Sequence, residues 1–167
     1  MKILAIVPAK EKSSRFPGKN RLLWNDAAIA LLQVHAIDKI IIASDDPHIL
    51  NAARICKFDT CVRTKAETIE NRPLIDVLKH AYFSQKEEYT HIICVFGCTI
   101  NVTPEDVESM IEKMILGDFQ EVRSFSEIGE ENGMFMLTRE RLMEGHISSY
   151  IGCVLNGLKE IHREDQL

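Results

Sequence analysis

The sequence has little of what would mark a secreted, membrane-borne or nucleic-acid-binding chain. Its five cysteines, Cys56, Cys61, Cys94, Cys98 and Cys153, are odd in number and contain no CxxC pair. That argues against a disulfide framework and fits thiols in a reducing cytoplasm. Basic residues are outnumbered, 20 Lys and Arg against 25 Asp and Glu, for a net charge of -5. A general nucleic-acid partner therefore gets no support. No apolar run approaches the length of a membrane span. The N-terminal MKILAIV has the flavour of a secretory signal, but its apolar run is short. Pro8 and Lys10 follow it without a cleavage-like site. There is no internal repeat, low-complexity tract or Pro/Gly/Ser-rich linker, so residues 1–167 are expected to form a single domain. The two common phosphate-binding patterns, GxxxxGK[ST] and GxGxxG, are also missing.

What is present is an alternation of apolar strands and helical stretches, in a composition ordinary for a soluble protein (46% hydrophobic, 27% charged). Residues 3–7 and 39–43 (KIIIA) are continuous apolar runs, as expected of parallel strands covered on both faces. Residues 91–96 give a third strong strand, and 59–63, 120–125 and 133–137 read as further strands. Helices are expected at 27–35, 47–57, 71–85, 104–116 and 139–144, the first of them capped by a turn at Asn25-Asp26. Asp46-Pro47 and Thr103-Pro104 each pair an N-cap residue with a proline at the first helical position. Asp45-Asp46 as adjacent acids could also suggest a metal site, but the proline fixes a helix boundary and favours capping. This alternation predicts a three-layer α/β sandwich.

The stretch that draws attention is residues 6–20, IVPAKEKSSRFPGKN. A buried strand opens at Pro8 into a loop carrying Lys10, Lys12, Arg15 and Lys19, with Ser13, Ser14 and Gly18 between them. Cations neutralise phosphate, hydroxyls and backbone N–H groups donate to its oxygens, and glycine permits close backbone approach. Against an acidic background this is either a local anion site or a solvated loop of ordinary lysines, and composition leaves both open.

The same stretch resembles the first signature of the cytidylyltransferases that activate acidic sugars: the acylneuraminate (CMP-sialic acid) synthetases, the 3-deoxy-octulosonate synthetases and their spore-coat relatives. Pro8, Ala9, Ser13, Arg15, Pro17, Gly18 and Lys19 stand at the family's spacing, and Asn20 matches the acylneuraminate branch. Lys10 replaces an arginine, keeping the charge without the planar fork. Further matches follow in order: Ser44-Asp45-Asp46, Arg63, Ile75-Asp76-Val77, His80-Ala81 and the residues 133–137 strand. Phe96 and Val102 stand where one branch has Gln and Arg, and Cys98 where another has a metal-binding Asp. Cys98 reads as a small packing residue rather than a reactive one, because no cation adjoins it in sequence.

The resemblance implies a Rossmann-like nucleotide-diphospho-sugar transferase fold with a mixed, mainly parallel sheet. It implies transfer of CMP from CTP to an acidic, acylneuraminate-like sugar, with Mg2+ as cofactor. Lys10 and Lys19 would hold the triphosphate as catalytic residues. Ser13, Arg15, Asn20, Arg63 and Asp76 would contact substrate, Asp76 either directly or by orienting a neighbour. His80 reads as a partly buried helical histidine. The C-terminal Glu160-Ile161-His162 aligns with an acidic metal-binding segment. That alignment makes Glu160 and His162 the candidate metal ligands; period-two geometry puts them on one face, but imidazole is a poor magnesium ligand, so binding would rest on Glu160, phosphates and water, with a frayed charged tail as the other reading. The family's dimerisation insert has little room here, so a homodimer is left open. A degenerate homologue that binds nucleotide or sugar without turnover is the alternative function.

Overall fold

A computed structural model describes residues 1–12, 16–68, 73–144 and 150–167. The central sheet has seven strands in the order β3-β2-β1-β4-β7-β6-β8. They are β1 (Ile3–Ala9), β2 (Lys39–Ser44), β3 (Asp59–Val62), β4 (His91–Val95), β6 (Glu121–Phe125), β7 (Glu131–Thr138) and β8 (Gly152–Leu155). All run parallel except β7, which is antiparallel to both β4 and β6. A second, two-stranded sheet pairs β5 (Thr99–Ile100) with β9 (Lys159–Glu160).

The helices are α1 (Lys19–Leu32), α2 (Pro47–Ile55), α3 (Leu74–Phe83), α4 (Pro104–Gly117) and α5 (Arg139–Glu144). Alternation along β1 shows how they divide between the two faces. Ile3, Ala5, Val7 and Ala9 pack with Trp24, Ala28 and Leu31 of α1, Ile49 of α2 and Met110 of α4. Leu4 and Ile6 face the other way, onto Val77, Leu78 and Ala81 of α3 and Leu142 of α5. Every residue of β1 is buried, which is what its unbroken apolar run requires of a central strand. The mixed, mainly parallel sheet between two helical layers is the expected sandwich.

Boundaries differ in ways that matter for the site. Helix α1 begins at Lys19, eight residues earlier than the Asn25-Asp26 turn suggested. Gly18 takes the left-handed conformation (φ 79°) that ends the loop and starts the helix. Asn25 and Asp26 then fall on its exposed face, where two polar residues cost little. Pro8 does not end β1. Strand β4 has left β1 beyond the Ile6–Cys94 pair, and the Gly97 N–H donates to the Pro8 carbonyl at 3.1 Å. The two expected proline-capped starts are both present. Asp46 accepts from the His48 N–H, and Thr103 forms a capping box with Asp106. No helix among the described residues is long and apolar enough to cross a membrane.

Candidate active site

Strands β1 and β4 are neighbours, although β2 and β3 lie on the far side of β1. The chain therefore reverses its winding between β1 and β4, and a crevice at the carboxyl ends of the strands is expected there. The α1 N-terminus faces this rim, since only nine residues separate the end of β1 from the start of the helix. It has no side-chain cap and no acid in its first turn. The Lys19 and Arg21 N–H groups donate within the turn, to the Phe16 and Gly18 carbonyls, and the positive end of the helix dipole suits an anion.

Because α1 starts early, Lys19 and Asn20 lie in its first turn rather than in the loop, and both side chains are buried (7% and 8% exposed). Asn20 Nδ2 donates to the Lys10 carbonyl at 2.7 Å, so it fixes the loop's origin. The loop is held from the other side too. The Glu11 N–H donates to Asp45 Oδ1 at 2.8 Å, and Arg21 Nε donates to Asp46 Oδ2 while its Nη2 lies 3.3 Å from Glu11. Asp45 and Asp46 are thus a loop anchor and a helix cap, in keeping with capping over metal binding. Ser13 and Arg15 lie outside the described residues. The anchoring role of Arg21 escaped the sequence reading because the helix start was placed too late. The spacing of Leu23, Trp24, Ala27, Ala28 and Leu31 behind Gly18 was the available signal.

Asp46 has no exposed surface. Burial pushes its carboxyl up, but the Arg21 guanidinium and the His48 N–H outweigh that and hold it below the ordinary carboxylate value. A depressed folded pKa contributes stability above the unfolded value of about 3.9 and loses it as pH falls through the folded value. Denaturant unfolding of the wild type and Asp46→Asn should therefore differ at neutral pH, with the gap closing below about pH 4. A gap that stays constant into acid contradicts this assignment.

The opposite wall is the turn after β4 together with β9. Gly97 lies so close to β1 that a Cβ there would stand 2.9 Å from Ala9 Cβ and 3.1 Å from the Pro8 carbonyl. Thr99 pairs with Glu160, and the Ile161 N–H donates to the Cys98 carbonyl at 2.9 Å. The C-terminal segment is thus a strap laid across the rim rather than a frayed tail. After Glu160 it turns, and Gln166 Oε1 accepts from the His162 and Arg163 N–H groups. Lys19 Nζ crosses from α1 to donate to the Ile161 carbonyl at 2.6 Å. Cys98 lies beside it, with its Sγ 3.7 Å from Glu160 Oε1. Burial pushes the Cys98 thiol up, against the lowering effect of Lys19. It remains a protonated packing residue at neutral pH, as its sequence context suggested.

Glu160 and His162 do adjoin, with Nδ1 3.6 Å from Oε1. Among the described residues, no group of three or more His, Cys, Asp and Glu side chains gathers to hold a metal. On the strap Glu160 offers a hard oxygen donor, with an imidazole beside it. That set fits a magnesium ion whose remaining ligands are phosphate oxygens and water, and does not fit a cage built by protein alone.

Arg63 follows β3 at the same rim. Its N–H donates to the Ser44 carbonyl at 2.9 Å, and its Nη2 donates to the Glu67 carbonyl. Burial lowers its pKa, against the nearby Asp45 and Glu67. Its Nε is enclosed without a partner among the described residues. Glu67 is itself buried, 2.8 Å from His80 Nδ1, and accepts the Thr64 N–H at 2.6 Å. His80 is thus a helical histidine paired with a carboxylate. Asp76 lies in the first turn of α3, half-buried.

A cytidylyltransferase family model matches residues 4–144, most of the chain and all of the rim except the strap. The chain belongs to the cytidylyltransferase family. Among solved structures, this cytidylyltransferase superimposes on CMP:2-keto-3-deoxy-manno-octonic acid synthetase complexed with CTP, with a TM-score of 0.84 at 14% identity over 99% of this chain and 95% of that one. Glucosyl-3-phosphoglycerate synthase from Mycobacterium tuberculosis, in complex with Mn2+ and UDP-glucose, gives a TM-score of 0.70 at 15% identity over 98% and 71%. The bifunctional IspDF of Campylobacter jejuni also gives 0.70, at 13% identity over 100% and 53%. At these identities the likenesses establish the fold. No curated protein gives a significant sequence match.

Proposed function

We propose that this cytidylyltransferase transfers CMP from CTP to a hydroxyl of an acidic, acylneuraminate-like sugar and releases pyrophosphate. The observation that carries the reading is the meeting of the uncapped α1 N-terminus, Lys19 and the strap residue Glu160 at one point of the rim. An ammonium has three N–H donors. Lys19 engages one with the Ile161 carbonyl, which leaves donors for phosphate oxygens while the side chain stays fixed in direction. Lys10 emerges from β1 beside the same helix end, its carbonyl held by Asn20. The resemblance implies that Ser13 and Arg15 position the nucleotide, that Arg63 sits near its base or ribose, and that Asp76 either serves the nucleotide or orients a neighbour.

In this arrangement the acceptor oxygen attacks the α-phosphorus and pyrophosphate leaves. The protein contributes by positioning and by stabilising charge on the phosphate oxygens. Magnesium, held by Glu160, the triphosphate and water with His162 beside them, would supply neutralisation of that charge. The co-crystallised CTP of one structural relative and the Mn2+ of another support a nucleotide and a divalent ion here. Incubation with CTP, magnesium and a panel of sugar acids should release pyrophosphate with at least one of them. Release from none contradicts the proposal.

One observation favours a second reading, a nucleotide-binding homologue without turnover. The carboxylate of Glu160 has a thiol and an imidazole as neighbours, and among the described residues no group of three or more His, Cys, Asp and Glu gathers to hold a metal. Calorimetric CTP binding with no pyrophosphate from any acceptor would select that reading.

A further inference from the structure

A buried carboxylate needs partners, and Glu67 draws them from two elements. It lies in the single turn of 3-10 helix at Lys65–Thr68, between β3 and α3, and is 7% exposed. Its Oε2 accepts the Thr64 N–H at 2.6 Å, and its Oε1 lies 2.8 Å from His80 Nδ1 on α3. The Glu67 N–H donates to the Thr64 carbonyl at 3.0 Å, so residues 64–67 close on themselves. Burial pushes the Glu67 carboxyl up, but the Thr64 N–H and His80 outweigh it and hold it below the ordinary value. It is therefore an ionised clamp between the turn and α3 at neutral pH.

What the clamp carries is Arg63. The Arg63 N–H is tied to β2 through the Ser44 carbonyl, but the side chain is tied to Glu67, whose carbonyl accepts from Nη2. One residue thus supplies both the carboxylate that closes the turn and the carbonyl that aims the guanidinium. With Nη2 bonded and Nε enclosed, the guanidinium is held in one orientation. The other carboxylate acting on its charge is Asp45, whose Oδ1 anchors the basic loop at the Glu11 N–H. Arg63 and the basic loop therefore share a neighbour at the rim. His80 and Asp76 stand four residues apart on α3, on one side of the helix. The clamp therefore also fixes the end of β3, with Arg63, relative to the start of α3, with Asp76.

We infer that Glu67 is a positioning residue for the nucleotide. Through its clamp on His80 it holds the Arg63 guanidinium where the base and ribose end of CTP binds. The inference rests on the proposed CTP site and adds a residue that itself touches no substrate. Its effect is confined to one end of the ligand. The triphosphate end belongs to Lys19 on α1, which packs on the face of the sheet opposite to α3.

Calorimetry on the full chain, with CTP and with inorganic triphosphate, each with magnesium, tests this. Glu67→Ala should weaken CTP binding about tenfold, the scale of one lost bond from a charged group, and bind inorganic triphosphate as the wild type does. His80→Ala, at a partly exposed helical position, should act in the same direction and also spare triphosphate. Arg63→Ala should weaken CTP binding by at least as much. Adding Glu67→Ala to it should cost nothing further, because both act through one guanidinium. If Glu67→Ala does not fold, His80→Ala combined with Arg63→Ala makes the same comparison. Losses that add, an equal loss for inorganic triphosphate, or wild-type CTP affinity in the Glu67 and His80 variants would overturn the inference. Failure of the broader reading shows separately, as absent CTP binding in the wild type, and takes this inference with it.

Discussion

Replacing Lys19 by alanine is expected to weaken CTP binding by about 1.5–3 kcal/mol, the scale of a hydrogen bond to a charged group. The effect has two sources. On the proposed function, loss of the ammonium removes a donor to the phosphates from the first turn of α1, where the helix dipole adds to it. It also frees the Ile161 carbonyl, which loosens the strap that carries Glu160. Lys19→Met separates these effects only in part, because it keeps the apolar stem and loses both bonds. Hydrogen exchange at Ile161, whose N–H is bonded to the Cys98 carbonyl, reports on the strap alone. Calorimetry with CTP reports on both. Unchanged affinity together with faster exchange would show that Lys19 serves only to hold the strap.

The second large effect is structural. Gly133, on β7, has φ +93°, and a Cβ there would stand 2.2 Å from Thr99 Oγ1 and 3.5 Å from Glu160 Cβ. Gly133→Ala meets both penalties at once. An L residue is strained at that φ, and the β5–β9 pair has no room to receive a methyl group. Overpacking of a tight site with added backbone strain should cost about 3 kcal/mol or more. The displaced group is Thr99, the strand partner of Glu160, so the variant should lose activity beyond what its lowered stability explains. Denaturant unfolding and pyrophosphate release at a temperature where the variant stays folded check the two parts. A stability within 1 kcal/mol of wild type would show that the strap can move aside at little cost.

The layers of this fold were legible because its central strands are buried on both faces. Continuous apolar runs such as residues 39–43 have few alternatives, and proline-capped starts at Asp46 and Thr103 fixed two helices closely. The short pieces were not legible. Strands β5, β8 and β9 are two to four residues long. Their pairing depends on where the rest of the chain has already placed them, and no local periodicity marks it. Helix α1 was misplaced because Asn25-Asp26 looks like a turn when read alone. Only its position on the solvent face makes it an ordinary part of a helix.

For the site, residue types were readable and partners were not. The basic character of residues 10–19 pointed to an anion, yet nothing in the sequence showed Lys19 turning inward to a carbonyl 142 positions later. The nearness of Glu160 and His162 was expected from strand alternation, but β9 ends at Glu160 and the two lie 3.6 Å apart where the chain turns. The loop anchors at Asp45 and Arg21 depend on contacts between separate elements, which spacing does not reveal. The Glu67–His80 clamp is hidden for the same reason, being drawn from a single 3-10 turn and from α3.

The central claim is that a nucleotide triphosphate rests where α1 begins, between the basic loop and the strap. A crystal structure with CTP and magnesium tests it directly. The account predicts phosphate oxygens over the first turn of α1, within hydrogen-bonding reach of Lys19 Nζ and with the metal on the Glu160 side. A triphosphate bound elsewhere on the rim, with Lys19 still directed only at the Ile161 carbonyl, would contradict it.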